Sequence, residues 1–159
     1  MRRINLSTCA TALALAVAVL SFVHPWGNLR VGSPPGTAML TGSNVTNEVR
    51  EVIAQKCGDC HSNNTRWPLY GRVAPTSWFV EHDVHEGRER MNLSAWGQYS
   101  VDNRIDLLGK MGTQLRQDKM PLKQYLLLHP EARLSGADRK LIVDWTKAER
   151  KRLMTEAAK

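Results

Sequence analysis

Cysteine is scarce in this chain. Three occur in 159 residues, and only Cys57 and Cys60 are close enough in sequence to act together, because Cys9 lies far upstream in an apolar run. A structural zinc site takes four ligands, usually two cysteine pairs or one pair with two spaced histidines, and no second pair exists to complete one. Strand signals are missing too. No alternating β-branched run precedes Cys57, which argues against the strand-then-helix setting in which thioredoxin-like enzymes place a Cys-x-x-Cys pair. The chain also lacks a Ser-His-Asp set, a phosphate loop and a carboxylate dyad, so it offers no enzyme chemistry of those kinds. Internal repeats and low-complexity tracts are absent.

What the chain does have is Cys57-Gly58-Asp59-Cys60-His61, and a Cys-x-x-Cys-His run is the attachment signature of a c-type haem. Two thiols three residues apart can each form a thioether to a haem vinyl group, while the adjacent imidazole reaches the iron from one face. The expected cofactor is therefore one covalently attached haem c, bound through Cys57 and Cys60 with His61 as proximal iron ligand. Aromatic residues make up only 6% of the chain. A small helical core around a bulky apolar cofactor needs little more.

Arg2 and Arg3 precede Ile4 to Val23, twenty uncharged residues with an Ala/Leu/Val-rich centre, enough at 1.5 Å per residue to cross ~30 Å of hydrocarbon. Residues 1–23 are expected to be a signal anchor or a signal peptide, exporting the chain to the periplasmic side of a bacterial inner membrane. The uncleaved membrane helix is the preferred form, because Ala16-Val17-Ala18, which resembles a signal-peptidase site, sits inside the apolar run. Residues 24–44, interrupted by Pro25, Gly27, Gly32, Pro34, Pro35, Gly36 and Gly42, read as a flexible linker that contributes no core.

Residues 45–159 read as helices joined by loops. Val49, Val52 and Ile53 share one face of a helix that starts after a Thr46 or Asn44 cap and leads to Cys57. Residues 62–75 are a loop. Ser77 is the expected cap of a helix over Trp78 to Glu86 that ends at Gly87. Ser100 opens another, with Val101, Ile105, Leu108 and Leu115 as its stripe. Ser135 with Asp138 begins the last, in which Leu141, Ile142 and Trp145 face inward. The fold class is all-α.

This order resembles the class I cytochrome c arrangement and, more closely, the small haem-binding domain family of bacterial c-type cytochromes. The matching residues run from Cys57 through His61-Ser62-Asn63-Asn64-Thr65-Arg66-Trp67-Pro68 to Ala74-Pro75-Thr76-Ser77-Trp78, Gly87-Arg88, Asn92-Leu93-Ser94-Ala95-Trp96 and Met120-Pro121-Leu122. Tyr125 to Pro130 and the closing helix fit as well, over about residues 47 to 147. The family often has an aromatic where Gly58 and Leu69 stand. The resemblance implies a cytochrome c-like fold around one haem, without implying a reaction.

Met120 is the leading sixth iron ligand. Pro121 is expected to stop the preceding helix and hold the chain extended so that the thioether can be aimed from a loop, and the resemblance places a ligand here too. Met111 reads as core, His82 and His85 as a solvated face with Glu81, Asp83 and Glu86, and His129 as a loop hydrogen-bonder or propionate contact. Trp67 and Trp78 read as core or haem-edge residues, and Arg66, Arg72 and Arg88 as solvated or propionate-paired.

The chain carries 22 lysines and arginines against 15 acidic residues. Setting aside Arg2 and Arg3 leaves 20 against 15, or +5. Much of it falls on the last helix, from Arg139 and Lys140 to Lys159, a surface suited to an acidic redox partner or to anionic headgroups; an exported domain has little access to nucleic acid. The sequence thus predicts a membrane-tethered monohaem cytochrome that carries single electrons and is not an enzyme. The alternative is a haem peroxidase or a gas or redox sensor with an open or displaceable sixth position, and thiol-disulfide exchange would require free Cys57 and Cys60.

Overall fold

The computed structural model describes residues 5–30 and 38–158. Among the described residues all regular structure is helical, in keeping with the all-α expectation. α1 spans Leu6–Leu20, α2 Asn47–His61, α3 Thr76–Arg90, α4 Val101–Arg116, α5 Lys123–Leu128 and α6 Gly136–Ala157, with 3-10 turns at Leu69–Arg72, Leu93–Gln98 and Pro130–Ala132.

The N-terminal membrane helix is not borne out. α1 has 15 residues, about 22 Å of helix against the ~30 Å of a hydrocarbon core, and among the described residues no helix is long and apolar enough to cross a membrane. Arg2, Arg3 and Ile4 lie outside the described residues. The apolar run is longer in sequence than the helix because its end docks on the rest of the chain. The Ser21 hydroxyl donates back to the Val17 carbonyl at 2.7 Å and accepts the Ala74 amide at 3.0 Å. The Val23 carbonyl accepts the Trp78 indole N–H at 2.8 Å.

Gly32, Pro34, Pro35 and Gly36 of the expected linker lie outside the described residues. Residues 38–44 pack into the domain: Leu40 is fully buried and its amide donates to the Leu93 carbonyl at 3.0 Å. The Asn44 carbonyl accepts the Trp145 indole at 3.0 Å, and its amide donates to the buried Glu149 carboxylate at 3.2 Å. This stretch supplies core, contrary to the expectation of a spacer, and glycine spacing alone carries no sign of it.

α4 and α6 form the main helix pair. Leu108, Met111 and Leu115 of α4 meet Ile142, Trp145 and Leu153 of α6, and Val49 and Ile53 of α2 join the same core. Each fully buried leucine or isoleucine contributes about 1.5–3 kcal/mol. Gly112 lets the pair approach, since a Cβ there would lie 3.0 Å from Thr146 Oγ1.

The helix ends follow local chemistry. Thr46 caps α2 by accepting the Val49 amide at 3.3 Å, and Ser100 caps α4 through Asn103 at 3.2 Å. Ser135 and Asp138 form a complete capping box on α6. α3 differs from expectation at both ends. It begins at Thr76 with Ser77 buried inside and no side-chain cap, and it runs past Gly87 to Arg90. Nor does Pro121 end α4. The helix closes at Arg116 with a Schellman motif: Asp118 is left-handed at φ 54°, Lys119 N–H donates to the Gln114 carbonyl at 3.0 Å and Asp118 N–H to Leu115 at 3.2 Å. Arg139 holds this turn through the Asp118 carboxylate at 2.7 Å.

Candidate functional site

The last turn of α2 carries Cys57, Cys60 and His61. Spacings of three and four put Cys60 and His61 beside Cys57 on the helix. The Ser62 hydroxyl donates to the Gly58 carbonyl at 2.7 Å and accepts the Asn64 amide at 3.0 Å, closing the turn. His61 Nδ1 lies 2.9 Å from the Met91 carbonyl. A carbonyl only accepts, so Nδ1 carries the proton and Nε2 is the nitrogen left for a metal. Burial holds the imidazole below its ordinary pKa, which keeps it neutral, the form in which histidine ligates.

Neither motif cysteine is bridged. Burial pushes both thiols up to about 12, helped by Cys60 at Cys57 and by Asp83 and Asp59 at Cys60. Thiol-disulfide exchange needs a thiolate stabilised near neutral pH, and this environment does the reverse.

A cavity of about 790 Å³ opens against these residues, within the roughly 300–1,000 Å³ of small-molecule and cofactor sites. Cys57, Cys60 and His61 line it, with Gly87 of α3 beside them and Leu107, Met111, Leu115 and Ile142 from the α4–α6 pair. Met120, Pro121, Leu122 and Tyr125 line it from the segment between α4 and α6. The four predicted site residues, Cys57, Cys60, His61 and Met120, therefore meet at one cavity.

The alternatives separate. Met111 lines the cavity as a buried core residue. His82 reaches it with a half-exposed side chain, 3.7 Å from Asp83, and His85 is not among its lining residues. His129 lies outside it, hydrogen-bonded to Tyr70 at 2.6 Å and stacked on Tyr125 with ring centroids 4.3 Å apart. Trp67 and Trp78 are elsewhere: the Arg30 guanidinium lies over Trp67 at 5.0 Å, and Trp78 holds Val23. Arg66 pairs with Asp59, and Arg88 donates to the Ser62 carbonyl at 3.0 Å. Lys56, Arg90 and Lys110 are the cations at the cavity, with Asp59, Asp83, Glu86 and Glu89 among them.

A family profile described as a haem-binding domain matches residues 15–148, which is 134 of the 159 residues. The chain belongs to the haem-binding domain family. Curated proteins and solved structures yield no match. Haem is accordingly the cofactor of this haem-binding domain, and the cavity fits it: an imidazole with one free ring nitrogen, a soft thioether, two unbridged thiols and an apolar wall.

Several residues that shape the haem-binding domain's site escape sequence reasoning. Met91 orients His61 through its backbone carbonyl, which any residue could supply. Tyr125 and Asp59 meet across 66 positions, with the phenol donating to Asp59 Oδ2 at 3.0 Å. Gly87 carried a signal, a glycine within a helical stretch, that equally fits a helix stop.

Proposed function

We propose that this domain is a one-electron carrier that holds a single haem c covalently through Cys57 and Cys60, with His61 and Met120 as axial ligands. The observation that carries the reading is the convergence of two unbridged thiols, one imidazole and one thioether on a single cavity with apolar walls. Bound there, the group would supply the one-electron couple of its iron. The chain's own part is to orient and tune. Met91 fixes the His61 tautomer, Met120 offers a soft sulfur that favours the ferrous state, and Leu107, Leu115 and Ile142 exclude water. Assigning side chains to both axial positions leaves none for a substrate, so we read the domain as a carrier and not an enzyme.

A redox protein is the corresponding partner. Both signs of charge line the cavity, whereas Lys147, Arg150 and Lys151 lie further along α6 than cavity-lining Ile142. Docking at the cavity would then depend only weakly on salt. Export is supported by α1, whose 15 uncharged, mostly apolar residues follow Arg2 and Arg3 in sequence and suit the short apolar region of a secretory signal.

The sixth position tests the reading. Ferric and ferrous spectra of the wild type should be low-spin. Met120→Ala should turn the ferric haem high-spin, lower the potential and admit carbon monoxide or cyanide readily, while His82→Ala and Met111→Ala keep the low-spin spectrum. A wild type that is already high-spin and binds carbon monoxide quickly would give the sensor or peroxidase reading precedence.

A further inference from the structure

Met120 packs against the core, but α5, the helix that follows it, is held by little apolar burial. No residue of α5 is buried, Leu127 and Leu128 are 81% and 63% exposed, and the principal neighbour of α5 is the 3-10 turn after it. Side chains of α2 make the attachment instead. Lys56 donates to the Glu131 carbonyl, and the Tyr125 hydroxyl donates to Asp59 Oδ2 at 3.0 Å.

Asp59 is a fixed acceptor. Arg66 grips both carboxylate oxygens, Nε on Oδ1 at 3.1 Å and Nη2 on Oδ2 at 3.0 Å, and its backbone amide adds a third bond at 3.0 Å. The Asp59 side chain is 14% exposed. Tyr125 is equally confined: it lines the cavity on one side and stacks on His129 at 16° on another, and His129 is tied to Tyr70. A donor and an acceptor each locked by other contacts lose little freedom on pairing, and a hydrogen bond to a carboxylate is among the stronger ones.

We propose that the Asp59–Tyr125 hydrogen bond positions the Met120 segment against the cavity, so that a residue between the two motif cysteines sets how firmly the distal ligand is held. The proposal rests on Met120 being that ligand. Asp59 and Tyr125 act through Met120 and are positioning residues. Breaking the bond frees α5 from α2 at a point five residues past Met120, and the thioether should leave the iron more often without any change in its chemistry.

The test is the rate at which cyanide displaces the distal ligand from the ferric full-length holoprotein. Tyr125→Phe, which removes one oxygen, and Asp59→Ala should each speed displacement roughly tenfold, equivalent to ~1.4 kcal/mol. Asp59→Asn keeps one acceptor oxygen for Tyr125 but sets an amide NH2 against the Arg66 donors, and should give a rate between those of the wild type and Asp59→Ala. The Asp59→Ala/Tyr125→Phe double variant should be no faster than the faster single one. Thermal melts run in parallel separate positioning from general loosening, because a merely structural role lowers the melting temperature without changing exchange well below it. Wild-type exchange in Tyr125→Phe, with Met120→Ala still converting the haem to high spin, overturns the positioning role and leaves the ligand assignment standing. If Met120→Ala leaves the spin state untouched, both fail together.

Discussion

At Gly87, α3 packs directly against the backbone of Cys60 in the last turn of α2. A Cβ built there would lie 2.6 Å from the Cys60 carbonyl oxygen and 3.0 Å from its carbon, and backbone atoms cannot swing aside as a side chain can. Gly87→Ala is therefore predicted to force the two helices apart, at a cost of roughly 2 kcal/mol or more, and to lower the fraction of purified chain that carries haem. Gly136→Ala, where nothing lies within 4 Å, should change stability by about 1 kcal/mol or less, in the stabilising direction. Urea melts and haem-to-protein absorbance ratios check both. At this scale the Cys57-Gly58-Asp59-Cys60-His61 run was legible because its two thiols and its imidazole, all lining the cavity, fall within five residues. The use of Gly87 was not, since a close approach depends on a second helix that local sequence does not describe.

α6 shows how much of an element can be read from its ends. Its capping box was visible as Ser135 and Asp138, and the structure completes it with amide bonds in both directions at 2.9 and 3.0 Å. The Ser135 backbone and hydroxyl hold the Asp138 carboxyl below its ordinary value of 3.8. A pKa lower in the folded than in the unfolded state adds stability above the ordinary carboxylate range, and that stability is lost as pH falls through the folded value. Asp138→Asn should thus melt below the wild type at pH 7, and the gap should close as the pH is taken under about 4; a gap independent of pH would remove the charge from the explanation. α3 and the end of α4 were harder to read. The α3 start has no side-chain cap to announce it, and α4 closes on a left-handed aspartate in place of the usual glycine.

For the molecule as a whole, the all-α class and the haem family were legible, while the extent of the domain was not. Hydropathy marks Ile4 to Val23 as one run, but among its described residues helix covers only Leu6–Leu20, and Ser21, Val23 and His24 are tied to residues from Ala74 to Glu81. A chain starting at Ser21 is predicted to keep wild-type haem content and thermal stability. One starting at Val45 loses the buried Leu40 and the Asn44 contacts with Trp145 and Glu149, and should lose roughly 2–5 kcal/mol. Equal stability of the two would show that residues 38–44 are a spacer after all. The central claim, a single haem fixed by Cys57 and Cys60 in the cavity they share with His61 and Met120, is tested most directly by the intact mass of the denatured protein after acid-acetone extraction. The mass should equal the polypeptide plus one haem, and it should fall short in Cys57→Ala and Cys60→Ala; a bare chain with two free thiols, its haem extracted into the solvent, would contradict the account.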